Sequence, residues 1–274
     1  MPNTSTAAGN VRLTAWRSTV ALLASALLCL VAGCGAEGPV PPPPVPTVEV
    51  DDLSIAVPGY VDPSDSGYWQ SVIEAAPQVR DVIVNADSGP GAVVHEPYVQ
   101  LIGTLRDAGV RVLGYVSTGW GERDPKTVYS EIDRWREWYG VDNIFMDEAA
   151  SVPEEVGTYA DYSATVHEAG GMVVLNPGLI PDRGYFEYAD AIVTFEDSAN
   201  NYFATRTPQG WLQAETNTEV WHIVIGAPLD QLSGVVDRAR QHGADKVYVT
   251  DDVAPNPYDR LPRYWSGQLD AATK

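Results

Sequence analysis

Between Ile55 and Asp251 the chain alternates two hydrophobic patterns. One is a short run of β-branched residues; the other is a longer stretch whose apolar positions recur every three or four residues. Gly, Pro, Asn or Asp punctuates each change. The runs are Ile55 to Val61, Val79 to Asn85, Val110 to Ser117, Asn143 to Glu148, Met172 to Asn176, Ala191 to Glu196, Trp221 to Ala227 and Lys246 to Asp251. The helical stretches are Tyr68 to Ala76, Pro97 to Ala108, Pro125 to Tyr139, Pro153 to Ala169, Asp182 to Tyr188 and Leu229 to His242. In the third, Val128, Ile132, Trp135 and Tyr139 fall on one face. Gly109, Gly170 and Gly243 follow three of these stretches, where a left-handed C-cap is suited to glycine. Strands alternating with helices predict parallel strands joined in βαβ units. Eight of them in about 225 residues predict an α/β fold, a single-domain (β/α)8 barrel of the TIM type spanning 48–274. The rival, an open doubly wound sheet, usually carries a Gly-rich phosphate turn after its first strand, and Tyr60-Val61-Asp62-Pro63-Ser64 is not one.

The N-terminus follows a different pattern. Arg12 and Arg17 precede an uncharged, Ala- and Leu-rich stretch from Thr19 to Gly33, too short for a comfortable bilayer span, which predicts a signal peptide over 1–33. Its end, Leu30-Val31-Ala32-Gly33-Cys34, resembles the lipobox of bacterial lipoproteins, which implies Cys34 as the lipidated first residue of the mature chain. The alternative is an ordinary secretory signal with a chance cysteine. With Cys29 removed and Cys34 acylated, the folded body holds no cysteine, which excludes disulfides, thiolate nucleophiles and Cys-ligated metals. Pro39 and the run Pro41 to Pro44 favour extended polyproline, so 34–47 is a linker reaching roughly 40 Å at about 3.1 Å per residue. The expected location is extracytoplasmic, lipid-anchored to the cell membrane.

Charge narrows the partners. Asp and Glu number 37 against 17 Lys and Arg, a net of -20. Removal of the leader takes two arginines and no acid, leaving 37 against 15 and a net of -22. Such a field repels a phosphate backbone, excluding nucleic acid as a partner, and draws in a cationic ligand while tolerating a neutral one.

In a barrel, side chains converge on an open face at the C-terminal strand ends. Those ends carry Tyr60, Asn85 with Asp87, Tyr115 with Ser117, Asp147-Glu148, Asn176, Glu196-Asp197 and Asp251-Asp252. A ring of amides, phenols and carboxylates predicts a polar pocket. Asn143-Ile144-Phe145-Met146-Asp147-Glu148 and Ile192-Val193-Thr194-Phe195-Glu196 are apolar strands that end in acids. Glycosidic cleavage needs such a pair, one carboxyl to protonate the leaving oxygen and one to attack or stabilise the oxocarbenium-like carbon. Alternation along a strand keeps Asp147 and Glu148 from pointing the same way unless the strand has already turned, so one is catalytic and the other supportive. Acids at strand ends can equally cap helices or pair with arginine.

Tyr60, Tyr115, Trp120, Tyr202 and Trp211 lie at or beyond strand ends, where flat faces could stack on a pyranose ring; Trp69, Trp135 and Trp138 belong to helix packing. His95, His167, His222 and His242 show no metal-ligand spacing, so neither metal nor cofactor is expected. His222, in a strand beside Trp221, suits a satisfied core imidazole. There is no Gly-x-Ser-x-Gly elbow and no phosphate loop; Ser88-Gly89-Pro90-Gly91 is a tight loop without a lysine.

Seven ordered motifs carry a resemblance: Val57-Pro58-Gly59-Tyr60, Ile83-Val84-Asn85 leading to Ser88-Gly89-Pro90-Gly91, Leu113 to Gly121, Trp138-Tyr139-Gly140-Val141-Asp142, Phe145-Met146-Asp147-Glu148, Asn176-Pro177-Gly178 and Val193-Thr194-Phe195-Glu196. Together they resemble the spherulation-specific family 4, or spherulin-4-like, proteins. The resemblance implies a barrel glycoside hydrolase that cleaves galactosamine-containing exopolysaccharide internally at α-1,4 linkages. It implies Asp147 as nucleophile, Glu196 as acid/base and Glu148 as a third required carboxylate. The half of the chain after Glu196 departs most from the family pattern.

The expected protein is therefore a monomeric, lipid-anchored endo-glycosidase of an amino-sugar polysaccharide, neutral or cationic. Catalysis falls to Asp147, Glu148 and Glu196, and substrate binding to Tyr60, Asn85, Asp87, Tyr115, Trp120, Asn176 and Asp251. Two alternatives stay open. In a substrate-assisted scheme Glu148 is the acid and Asp147 orients a 2-acetamido group; in a different class, the same cleft belongs to a non-catalytic polysaccharide-binding lectin. A carboxyl separation of about 5 to 5.5 Å suits retention, and about 6.5 to 9.5 Å inversion.

Overall fold

Each β-branched run forms a strand. A computed structural model describes residues 53–273 apart from 207, 209, 215 and 216; the leader, Cys34 and the proline-rich linker lie outside the described residues. The strands are β1 (Ile55–Gly59), β2 (Val79–Val84), β3 (Arg111–Ser117), β4 (Ile144–Asp147), β5 (Val173–Leu175), β6 (Ala191–Ser198), β7 (Glu219–Ile225) and β8 (Lys246–Val249). Every strand pairs in parallel with its successor. The ring closes beside β1, where the Ser54 N–H donates to the Asp245 carbonyl at 3.2 Å and the Val247 N–H to the Ser54 carbonyl at 3.1 Å. The protein is an eight-stranded parallel barrel, as the alternating pattern predicts.

The helices are α1 (Ser66–Glu74), α2 (Glu96–Asp107), α3 (Pro125–Tyr139), α4 (Val156–Glu168), α5 (Ala199–Ala204), α6 (Gly210–Gln213), α7 (Leu232–Gln241) and α8 (Trp265–Ala272). Asp65 caps α1 by accepting from the Tyr68 N–H at 3.0 Å, and Pro125 opens α3, where its missing N–H costs nothing. Gly170, two residues past α4, takes a φ of 78°, the left-handed turn expected there. Two segments differ from expectation. Asp182 to Tyr188 forms only a single tight turn, Arg183–Glu187, because seven residues containing Gly184 do not offset helix nucleation. Between β6 and β7 lie α5 and α6, short helices in an Asn- and Thr-rich stretch that shows no apolar period.

Helix α3 aligns the strand that serves the site. Its expected inner face, Val128, Ile132, Trp135 and Tyr139, is buried. Trp135 lies flat on β3 at Gly114, where an added Cβ would sit 2.5 Å from the indole, and its Nε1–H donates to the Tyr115 carbonyl at 2.8 Å. Glycine at 114 is thus a condition of helix-to-strand contact, and that contact fixes the backbone of Tyr115.

The opposite end of the barrel is closed by charge. Lys246 on β8, 3% exposed, meets Asp81 of β2 at 2.9 Å and also pairs with Glu219 of β7, while Arg111 of β3 takes the other oxygen of Asp81. The Lys246 ammonium stands 4.6 Å from the Trp221 ring centroid. Removing one partner from such a buried set strands the others, so this end serves stability.

Candidate active site

Four strand ends and one loop bring two carboxylates to a common amide. β4 ends on Asp147, whose Oδ2 accepts the Tyr115 hydroxyl from β3 at 2.7 Å. Asn176, just beyond β5 and buried, donates its amide to Asp147 Oδ1 at 2.7 Å and to Glu196 Oε2 at 2.5 Å. Its own oxygen accepts the Gly178 N–H at 3.1 Å, which orients the amide so that both N–H groups face the acids. Glu196 Oε1 in turn accepts the hydroxyl of Tyr258, from the loop after β8. The ring Tyr60 packs edge-on against Tyr115 at 5.6 Å and against Tyr258 at 5.5 Å, closing the circle.

Two bonds from one nitrogen put the nearer oxygens of Asp147 and Glu196 no farther apart than those bonds laid end to end, roughly 5 Å, short of the roughly 6.5–9.5 Å of inverting glycosidases. Burial raises the pKa of both carboxyls above their ordinary values. For Asp147 the Tyr115 hydroxyl, the Glu148 N–H and the Asn176 amide oppose the rise; for Glu196 the opposing donors are Tyr258 and Asn176, and the charge of Asp147 reinforces it. Burial, then the neighbouring carboxylates, hold the Tyr60, Tyr115 and Tyr258 phenols well above their usual range, so they remain donors.

Glu148 resolves the alternation problem by leaving the strand. Its φ is 51°, in the left-handed region, and its Oε2 accepts the Ser117 hydroxyl at 2.6 Å. Ser117 shares a strand face with Tyr115, two residues earlier, so Glu148 stands on the same side as Asp147. A second device operates on β6. The β6–β7 register slips between Val193 and Phe195, a bulge at Thr194 two residues before Glu196 that re-aims the strand end.

A family model described as spherulation-specific family 4 matches residues 54–272, the whole barrel. The chain is a member of that family. Spherulin-4 of Physarum polycephalum is 33% identical over 235 residues, covering 81% of this chain and 70% of its own. Among solved structures, Sph3 of Aspergillus clavatus, in complex with GalNAc, superposes with a TM-score of 0.70 at 25% identity, covering 81% of this chain and 98% of that one. A chitinase of Rhizomucor miehei, with a TM-score of 0.52 and 12% identity over 81% of this chain and 99% of its own, shares the fold alone.

In this family member, then, the structure brings Tyr60, Tyr115, Asp147, Asn176 and Glu196 into one contact network, with Glu148 beside it. Other residues singled out from the sequence stand apart. The Asn85 side chain accepts the Gly89 N–H at 2.8 Å and holds its own loop, and Asp87 is exposed on that loop. Trp120 is 62% exposed with a φ of 55°, its N–H on the Glu148 carbonyl. Asp251 is held by Arg260 at 2.9 Å and Arg263 at 3.4 Å, an ion cluster that braces the final loop. Tyr202 is buried with its hydroxyl 2.7 Å from His222 Nδ1, and Trp211 packs on Phe186 at 5.2 Å; neither joins the acid network. His222 is a satisfied core imidazole, bonded on its other nitrogen to Thr194 at 3.1 Å, and burial lowers its pKa to about 3. Among the described residues no group of three or more His, Cys, Asp or Glu is arranged to hold a metal ion.

Sequence reasoning missed Tyr258. The signal available was the Asn256-Pro257-Tyr258 turn signature past the last strand end, where a barrel loop can return an aromatic residue to the mouth.

Proposed function

We propose that this protein is an extracytoplasmic glycoside hydrolase that cleaves an amino-sugar polysaccharide of the α-1,4-galactosamine type with retention of anomeric configuration. The observation that carries this reading is the single Asn176 amide shared by Asp147 and Glu196, which keeps their nearer oxygens within roughly 5 Å, short of the gap an inverting pair needs. At that distance no water fits between an attacking carboxylate and the anomeric carbon. Asp147, whose anion three donors stabilise, attacks; Glu196, with two donors and with both burial and the charge of Asp147 favouring its protonated form, gives its proton to the leaving oxygen. Water then enters, Glu196 takes its proton back from it, and the Asp147 ester is hydrolysed. Glu148, hydrogen-bonded by Ser117, adds negative charge beside the oxocarbenium-like carbon.

The surroundings support a polymer. Large apolar side chains stand exposed in six of the connections that leave the C-terminal strand ends: Val93, Trp120, Val152, Leu179, Leu229 and Val253. Among them Trp120 offers a flat aromatic face suited to the C–H side of a sugar ring. The likeness to Sph3 with GalNAc supports an N-acetylgalactosamine unit, and the net charge of -20 favours a chain carrying some free amines. Anchoring through Cys34 would hold the barrel on the membrane surface, and Cys34→Ala is expected to move the protein from the membrane to the soluble fraction.

The test is to incubate the purified protein with α-1,4-linked N-acetylgalactosamine oligomers, both intact and partly deacetylated. Shorter products that vanish with Asp147→Asn and Glu196→Gln support the reading; tight binding without shortening would assign the cleft to a lectin.

A further inference from the structure

Glu196 needs to work in both directions, as an acid and then as a base, and burial opposes the second role. The last barrel loop addresses that conflict. β8 is followed by Asp251 and Asp252, which together grip Arg260: its Nη1 lies 2.9 Å from Asp251 and its Nε 2.8 Å from Asp252. The Arg263 N–H closes the same turn onto Asp251 Oδ1 at 3.1 Å. Two residues before Arg260, Tyr258 is fixed by its own N–H on Asn256 Oδ1 at 3.1 Å, and its buried ring rests between Tyr60 at 5.5 Å and Tyr248 at 6.4 Å. These contacts hold the Tyr258 ring in place, and its hydroxyl meets Glu196 Oε1.

We propose that Tyr258 is a positioning residue for Glu196: the braced loop after β8 supplies the donor that keeps this carboxylate in register with Asp147 and available as a base. The proposal rests on the hydrolase reading and adds to it a specific role for the final loop. The groups facing Glu196 are few. Asp147 stands across the Asn176 amide and disfavours its ionisation, as burial does; Tyr258 and Asn176 are its two donors, and the Tyr60 and Tyr115 phenols lie within its electrostatic reach. Asp197, its neighbour in sequence, turns away to Asn201 at 2.7 Å. With no cation in this set, donated hydrogen bonds are what stabilise the anion that Glu196 becomes once its proton is given up, and Tyr258 supplies one of the two.

The decisive variant is Tyr258→Phe, which removes one oxygen and keeps the ring contacts. Protein labelled with 13C at the glutamate carboxyl, with Glu196→Gln to assign the resonance, gives the Glu196 titration midpoint without any substrate. The midpoint is expected to rise by about one pH unit in Tyr258→Phe. Arg260→Gln, which loosens the brace and leaves the hydroxyl in place, is expected to move it the same way by less. In parallel, the alkaline limb of kcat/KM on N-acetylgalactosamine oligomers moves upward with the midpoint, while KM changes little. A Glu196 midpoint that stays put or falls in Tyr258→Phe overturns the proposal, as does one that moves in Arg260→Gln alone. Should neither protein cleave the oligomers, the hydrolase reading fails, and the carboxyl titration still decides whether Tyr258 governs Glu196.

Discussion

Replacing Asn176 by leucine removes the amide that stands between the two acids and keeps its branched heavy-atom outline. In the native protein each of its N–H groups donates to a carboxylate, and such charge-assisted bonds contribute about 1.5–3 kcal/mol each. Without them two carboxylates roughly 5 Å apart face each other directly, a repulsion of about 3 kcal/mol at an effective dielectric constant of about 20. Taking up one proton relieves much of this, so the expected loss of stability at pH 7 is about 3–5 kcal/mol rather than the full total. The sign of the pH dependence follows from burial, which already raises both pKa values in the folded state. The substitution raises them further. Below the unfolded carboxyl pKa values, near pH 3, both acids are largely protonated in either state, and the loss is confined to neutral hydrogen bonds, the two from the amide and the one from the Gly178 N–H, about 1–3 kcal/mol in all. As pH climbs from there through the folded pKa values the unfolded chain ionises first, and the variant loses stability progressively until both states are charged. Urea denaturation of native and variant protein at pH 3 and pH 7 measures the difference. A destabilisation of equal size at both values would refute the reasoning, because it would make Asn176 a packing residue rather than a screen between charges.

Other consequences are more direct. Asp147→Asn and Glu196→Gln should each lower kcat by about 10²- to 10⁴-fold or more while leaving the thermal midpoint at pH 7 unchanged or higher, since burial disfavours the ionised form of both acids. Gly114→Ala drives a methyl into the Trp135 ring and should cost about 1–3 kcal/mol in urea, with a matching fall in activity because Tyr115 moves with it. Lys246→Met leaves Asp81 and Glu219 without their shared cation and should destabilise the barrel by about 3–5 kcal/mol with kcat of the remaining folded protein intact. Trp120→Ala should raise KM for long oligomers about 3- to 10-fold with little change in kcat, as expected of an exposed stacking face.

The barrel was legible because its signal is periodic and repeated. Eight β-branched runs, each followed by a turn, leave few ways to bury so many strands, and parallel neighbours with crossover helices are the simplest. The acid tips on β4 and β6 were legible for a related reason: Phe145-Met146-Asp147 and Thr194-Phe195-Glu196 change abruptly from apolar to charged at the point where a strand reaches solvent. What stayed hidden depends on contacts remote in sequence. Tyr258 reaches Glu196 across 62 positions, and the Asn256-Pro257-Tyr258 turn marks a loop at the barrel mouth without showing which acid its side chain meets. The Thr194 bulge is a register property of the β6–β7 pair and has no signature in β6 alone. Asp251 has the same grammar as Asp147, a carboxylate ending an apolar strand, and only the fold places Arg260 and Arg263 against it. A strand-end acid therefore marks the correct face of a barrel, while its partner, arginine or amide, decides what the acid does there.

Asp147 and Glu196, with their nearer oxygens within roughly 5 Å, are proposed to act together across one sugar. Following the anomeric proton by NMR during the first turnovers on an α-1,4-N-acetylgalactosamine oligomer tests this most directly. The arrangement predicts that the newly released reducing end forms as the α-anomer and equilibrates afterwards; initial appearance of the β-anomer would contradict it.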